Sequence, residues 1–111
     1  MTTATKRPLV EVLSIEGCPR YPAALTLVER VRADLGIDAE VRTSTIADQQ
    51  AAEQAKFLGS PTIRVDGHDI EPDAERRNGY AHACRLYRTA GGQPDEQWLR
   101  AALLAAGRSQ R

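Results

Sequence analysis

Leu9, Val10, Val12, Leu13 and Ile15 make residues 9–15 a nearly continuous apolar run. A run of this kind marks a strand covered on both faces rather than one half open to water. The strand it predicts is central, so the rest of the chain has to supply elements that lie over it. Directly after it come Gly17, Cys18 and Pro19, of which the glycine lets the chain bend and the proline stiffens the turn.

From Pro22 the apolar residues Leu25, Val28, Val31 and Leu35 recur at helical spacing, with Glu29, Arg30, Arg32 and Asp34 opposite and Gly36 as the stop. Residues 39–43 alternate as a strand does. Asp48 is the N-cap of a second helix expected to run to about Leu58 and to close at Gly59. Thr62, Ile63, Arg64 and Val65 form a short β-branched strand, Asp66-Gly67 is a two-residue hairpin signal, and residues 68–71 pair back before Pro72. Residues 73–93 are polar and mixed, hold Cys84, and read as an insertion with at most one short element. Pro94, Asp95 and Glu96 then open a last helix carrying Trp98, Leu99, Ala102, Leu103 and Ala106, with Gly107 as its expected end. The order is β-α-β-α-β-β-α, an α/β chain with helices on both faces of a four-stranded mixed sheet and an insertion before the last helix. Residues 1–8 are expected to be a flexible N-terminus, 9–107 one domain and 108–111 a frayed tail.

Fifteen basic and fifteen acidic residues cancel across 111 positions, which leaves no global field for a nucleic-acid backbone or an anionic membrane. No apolar run approaches the roughly 20 residues of a membrane span, and the first eight residues lack the apolar middle of a signal peptide. The expected compartment is the cytoplasm. There, two cysteines are more often reactive, metal-binding or buried than a structural staple. His68 and His82 lack ligand spacing, so neither a metal nor a cofactor is expected.

Cys18 follows a strand and precedes a helix, where free backbone N–H groups and the helix dipole favour a thiolate. That position favours a reactive thiol over the alternative, a small apolar residue packed under the helix. Ser60-Pro61-Thr62 puts a proline at the start of a strand, where a cis bond is a reasonable choice; the alternative is a trans proline that merely follows a helix end. The backbone of Ser60 or Thr62 would then offer strand-like hydrogen bonds to a ligand, with Pro19 beside Cys18 completing the binding set. Arg76, Arg77, Arg85 and Arg88 form a basic run around Cys84, read as a solvated face or as a holder for an anionic group.

Gly17-Cys18-Pro19, the stretch from Phe57 through Ser60-Pro61-Thr62 to Gly67, Asp69-Ile70-Glu71-Pro72 and Cys84-Arg85-Leu86-Tyr87-Arg88 together resemble a small bacterial family of thioredoxin-like proteins. Its members carry the labels thioredoxin-like, seleno-family or alkylmercury lyase. The resemblance spans residues 9–106 and implies a thioredoxin-like fold. It also implies thiol redox chemistry on a thiol or disulfide substrate, protein or small molecule, with Cys18 as nucleophile. The second cysteine of the usual dithiol motif would stand at position 21, but Tyr21 is there. Resolution then falls to an external thiol or to Cys84, which a thioredoxin-like sheet would return to the edge near Pro61; a buried structural role for Cys84 stays equally open. A two-thiolate site for a soft metal such as mercury, or an organomercurial lyase, is the second reading, and a non-catalytic binding module the third.

Overall fold

The computed structural model describes residues 7–85, 87, 89 and 92–109, the side chains of 108 and 109 excepted. The expectations for residues 1–6, Leu86, Arg88, Gly91 and 110–111 therefore lie outside the described residues. The element order is β1 (Leu9–Ser14), α1 (Tyr21–Leu35), β2 (Glu40–Thr45), α2 (Gln49–Gln54), β3 (Thr62–Val65), β4 (His68–Asp69) and α3 (Glu96–Ser109), with one 3-10 turn at Ala74–Arg76. The four strands form one mixed sheet in the order β2-β1-β3-β4, with β1 parallel to β2 and antiparallel to β3. This is the α/β architecture and the strand count expected from the apolar pattern. No described helix is long and apolar enough to cross a membrane.

Val10 and Val12 of β1 point to the face covered by α1 and α3, where they pack with Val28, Val31, Ile63, Leu99 and Leu103. Leu13 points the other way, into a smaller cluster with Ile46, Ala52 and Phe57. Alternation along a strand explains the division. Cover on both faces, expected for the whole run, is thus confined on the α2 side to the C-terminal end of β1. Glu11 on that side stays half-buried, because a helix of six residues reaches no further. The β3–β4 hairpin turns at Asp66 and Gly67, both at positive φ (50° and 85°), as a type I′ turn requires. Asp66 also accepts the Leu9 N–H at 2.8 Å and donates its own N–H to the Leu9 carbonyl at 2.8 Å, which fixes the start of β1.

Two helix ends differ from expectation. α2 stops at Ala55 rather than near Leu58, and the left-handed residue is Lys56 (φ 54°), not Gly59. Phe57 N–H reaches the Ala52 carbonyl at 2.8 Å and Lys56 N–H the Glu53 carbonyl at 3.2 Å. Burial of Phe57 against Ala52 completes a Schellman stop. Packing of one aromatic ring outweighs the cost of a non-glycine residue in this region. At the other end of the chain, α3 runs through Gly107 to Ser109, so that glycine is interior rather than a cap. A Cβ there would meet only Ile37 Cδ1, at 3.6 Å.

Candidate functional site

Four segments meet at the C-terminal end of β1. The first is the turn that carries Cys18, whose N–H donates to the Ile15 carbonyl at 3.2 Å and whose carbonyl accepts from Tyr21 N–H at 3.3 Å. Arg20 is the N-cap of α1, without a side-chain cap, so Cys18 stands two residues ahead of the N-cap. Cys18 is buried, at 7% exposure. It borders a shallow cleft of about 330 Å3 rimmed by Ser14, Tyr21, Thr43, Ser44 and Thr45. Pro19 is exposed in the turn.

The second segment is the loop into β3. Its Ser60–Pro61 bond is cis, and Ser60, Pro61 and Thr62 are all buried. Ser60 Oγ accepts the Ile15 N–H at 3.1 Å, so the hydroxyl stands where a strand carbonyl would and joins this loop to the one bearing Cys18.

The third segment is the insertion, and it occupies the edge at which a ligand was expected to bind. Ser60 N–H donates to the Ala83 carbonyl at 2.8 Å and the Ser60 carbonyl accepts from Arg85 N–H at 2.8 Å, an isolated parallel bridge between Ser60 and Cys84. Both main-chain groups of Ser60 are thereby used inside the molecule. Thr62 is equally engaged: its hydroxyl donates to the Gly59 carbonyl and accepts from Arg85 at 3.0 Å. The expectation of a free docking edge is corrected at Ser60, whose main-chain groups are filled by the chain's own residues 83–85. Cys84 itself is exposed, and neither cysteine is in a disulfide. It is not the buried packing residue that was one reading of it.

What holds this strap is Arg85. Its guanidinium, 1% exposed, binds Asp69 through two bonds (2.7 and 3.1 Å) and Glu71 at 2.7 Å, and Glu71 also receives Arg77 at 2.8 Å. The reading of Arg85 as part of a solvated or anion-holding face is thus overturned: two acidic residues in the β4 region pair with it from within. Burial works against its charge, yet the hydrogen bond and charge of Asp69 and the hydrogen bond of Glu71 help to outweigh burial, and its pKa is raised above the ordinary guanidinium value. The guanidinium also stacks over the Tyr87 ring, 4.0 Å from its centre. From the opposite side Arg20 donates to the Arg85 carbonyl at 3.4 Å and to the Gly92 carbonyl at 3.3 Å. The cysteine turn and the strap are therefore tied by a residue two positions from Cys18 and one next to Cys84.

Tyr87 is the fourth part. Its hydroxyl donates to the Pro61 carbonyl at 2.9 Å and accepts the Ile63 N–H at 3.3 Å, satisfying two buried main-chain groups that β4 is too short to reach. Tyr87→Phe is expected to destabilise the fold by about 1–3 kcal/mol, since both groups lose their partner. Burial pushes the Tyr87 phenol up from its ordinary value, and the adjacent Arg85 charge only partly opposes this. A raised folded pKa means that the phenol's contribution is present below about pH 10, the unfolded value, and is lost as pH rises from there through the folded value. Denaturation midpoints measured at neutral and alkaline pH should therefore converge for Tyr87→Phe and the parent protein at the alkaline end.

Arg20 carries no signal in the sequence, and Tyr87 stands out there only as part of the stretch from Cys84 to Arg88. His68 and His82 are exposed, and among the described residues no group of three or more His, Cys, Asp or Glu is arranged to hold a metal ion. No family model matches the chain, and no curated protein matches it either.

Proposed function

We propose that the chain is a thioredoxin-like thiol redox protein in which Cys18 and Cys84 are the two reacting thiols. The observation that carries this reading is Ser60. Its hydroxyl holds the turn that leads to Cys18 while its backbone is bridged to Cys84, so the segments that carry the two cysteines meet at one cis-proline junction. Of the two, Cys18 is buried and Cys84 is exposed on the strap, and neither is in a disulfide. A dithiol pair of this kind can pass two electrons to a disulfide and close a bond between its own sulfurs. The proposal includes a reducing setting such as the cytoplasm, where free thiols persist.

Mild oxidation followed by peptide mapping tests it. The expected product is one intramolecular Cys18–Cys84 disulfide, reversed by a dithiol reductant. Closing it requires Cα atoms about 4.4–6.8 Å apart. Recovery of both cysteines unlinked, or of linkage only between molecules, would remove the redox-pair reading. The same two sulfurs could instead grip a soft ion in linear geometry. One equivalent of Hg(II) that shields both thiols from alkylation, in a protein that never forms the disulfide, would favour that reading.

A further inference from the structure

The strap bears on what kind of disulfide can be the substrate, and this inference rests on the redox reading above. An extended polypeptide gains affinity for a sheet edge chiefly through main-chain hydrogen bonds. At Ser60 those bonds are already made by Ala83 and Arg85. The strap is anchored further back as well: Ala81 N–H binds the Phe57 carbonyl at 3.0 Å, His82 N–H the Gln49 side chain at 3.0 Å, and Gln49 in turn the Tyr80 carbonyl at 2.9 Å. Peeling it away would pull Arg85 out of its contacts with Asp69, Glu71 and Thr62, all at least half-buried, and leave buried charges without partners. A peptide strand therefore has no inexpensive route to the junction.

Access also ranks the two thiols. Displacement at a disulfide needs the attacking sulfur to approach along the S–S axis, so an exposed thiol is reached before a buried one. Cys84 is exposed and Cys18 is 7% exposed. This reverses the order in which Cys18 attacks first.

We propose that the protein acts on low-molecular-weight disulfides, that Cys84 attacks first, and that Cys18 resolves. The Cys84 thiolate attacks one sulfur of the small disulfide RSSR, forms Cys84–S–S–R and expels RS⁻. The Cys18 thiolate then attacks Cys84 Sγ, forms the Cys18–Cys84 disulfide and expels the second RS⁻. The two thiols lose two electrons, RSSR gains them, and the two thiol protons pass to the two released thiolates. An external dithiol returns the pair to the reduced state and itself becomes a disulfide. Arg20, bonded to the Arg85 carbonyl, is the positioning residue that keeps the resolving turn beside the strap.

The test uses glutathione disulfide and, beside it, an extended peptide that carries a cysteine–glutathione mixed disulfide. The expected result is that Cys18→Ala accumulates one glutathione on Cys84, Cys84→Ser gains little or none on Cys18, and the peptide reacts no faster than glutathione disulfide to within about threefold. Cys18 labelled in Cys84→Ser at the parent rate would overturn the assigned order. A peptide faster by more than about tenfold, or loss of hydrogen-exchange protection at Arg85 N–H, which now donates to the Ser60 carbonyl, when the peptide binds, would overturn the substrate class. Either failure leaves the redox pair standing so long as oxidation links Cys18 to Cys84. Absence of both the link and any glutathione adduct would take down the redox reading as well.

Discussion

Replacing Arg85 with alanine is expected to cost about 3–5 kcal/mol of folding stability, because it leaves acidic partners buried without their counter-charge. The residue is 1% exposed and Glu71 is fully buried, so water cannot take over the lost bonds. Asp69 would keep the Glu71 N–H at 2.9 Å and Glu71 would keep Arg77, which offsets part of the loss. Against a typical domain stability of about 5–15 kcal/mol, such a loss brings the fold close to its limit. Arg85→Lys should rescue little, since an ammonium cannot serve two carboxylates and a hydroxyl in one plane while stacking on a ring. A combined Arg85→Met, Asp69→Leu, Glu71→Met protein should recover much of the stability, as replaced buried ion pairs often do. Urea midpoints measure all three. A loss below about 1 kcal/mol for Arg85→Ala would mean that the network is no more than a surface pair in effect.

The second large effect belongs to Gly59→Ala. A Cβ at this position would lie 2.7 Å from Arg85 Cβ, 3.0 Å from its Cα and 3.1 Å from its N. Two of these three are main-chain atoms that no rotamer change can move. The backbone here also has φ of 122°, a region costing a side-chain-bearing residue about 1–3 kcal/mol. Strain and collision together should destabilise by about 3 kcal/mol or more, or push the strap off Ser60. Gly67→Ala is the control: φ is 85° there but nothing lies within 4 Å, so only the backbone cost applies. Hydrogen exchange at Ser60 N–H distinguishes the two outcomes for Gly59→Ala, because that proton is bonded only while Ala83 stays in place. Equal losses for the two alanine variants would show that the close approach of Arg85 carries no energy.

These two residues also mark where the sequence was legible and where it was not. Gly36 closing α1, Asp48 capping α2 and Asp66-Gly67 turning the hairpin are local signals, each a side chain or a φ that a single residue type serves best, and each does so in the structure. The convergence of the Cys18 turn with Ser60 was readable from element order. The end of α2 was not, because Lys56 carries no glycine signal and its stop depends on where Phe57 finds a core. Arg85 was read as solvated because its partners Asp69 and Glu71 lie 16 and 14 residues away, beyond any pattern of spacing. Gly59 looked like a helix cap, whereas it makes room for a segment 26 residues further on (85 − 59).

The two rims of the sheet deserve comparison for what they deny to a neighbouring molecule. An outer strand with free N–H and C=O groups invites another chain to add on and so to grow an aggregate. β2 is one such rim, and from Arg42 through Thr43, Ser44 and Thr45 it is exposed and polar, with Glu40 paired to Arg42. β4 is the other, only two residues long and soon followed by Pro72, which cannot donate to a ladder. One rim is guarded by charge and hydroxyl groups and the other by brevity, so the folded chain offers a poor template for fibre growth at either side.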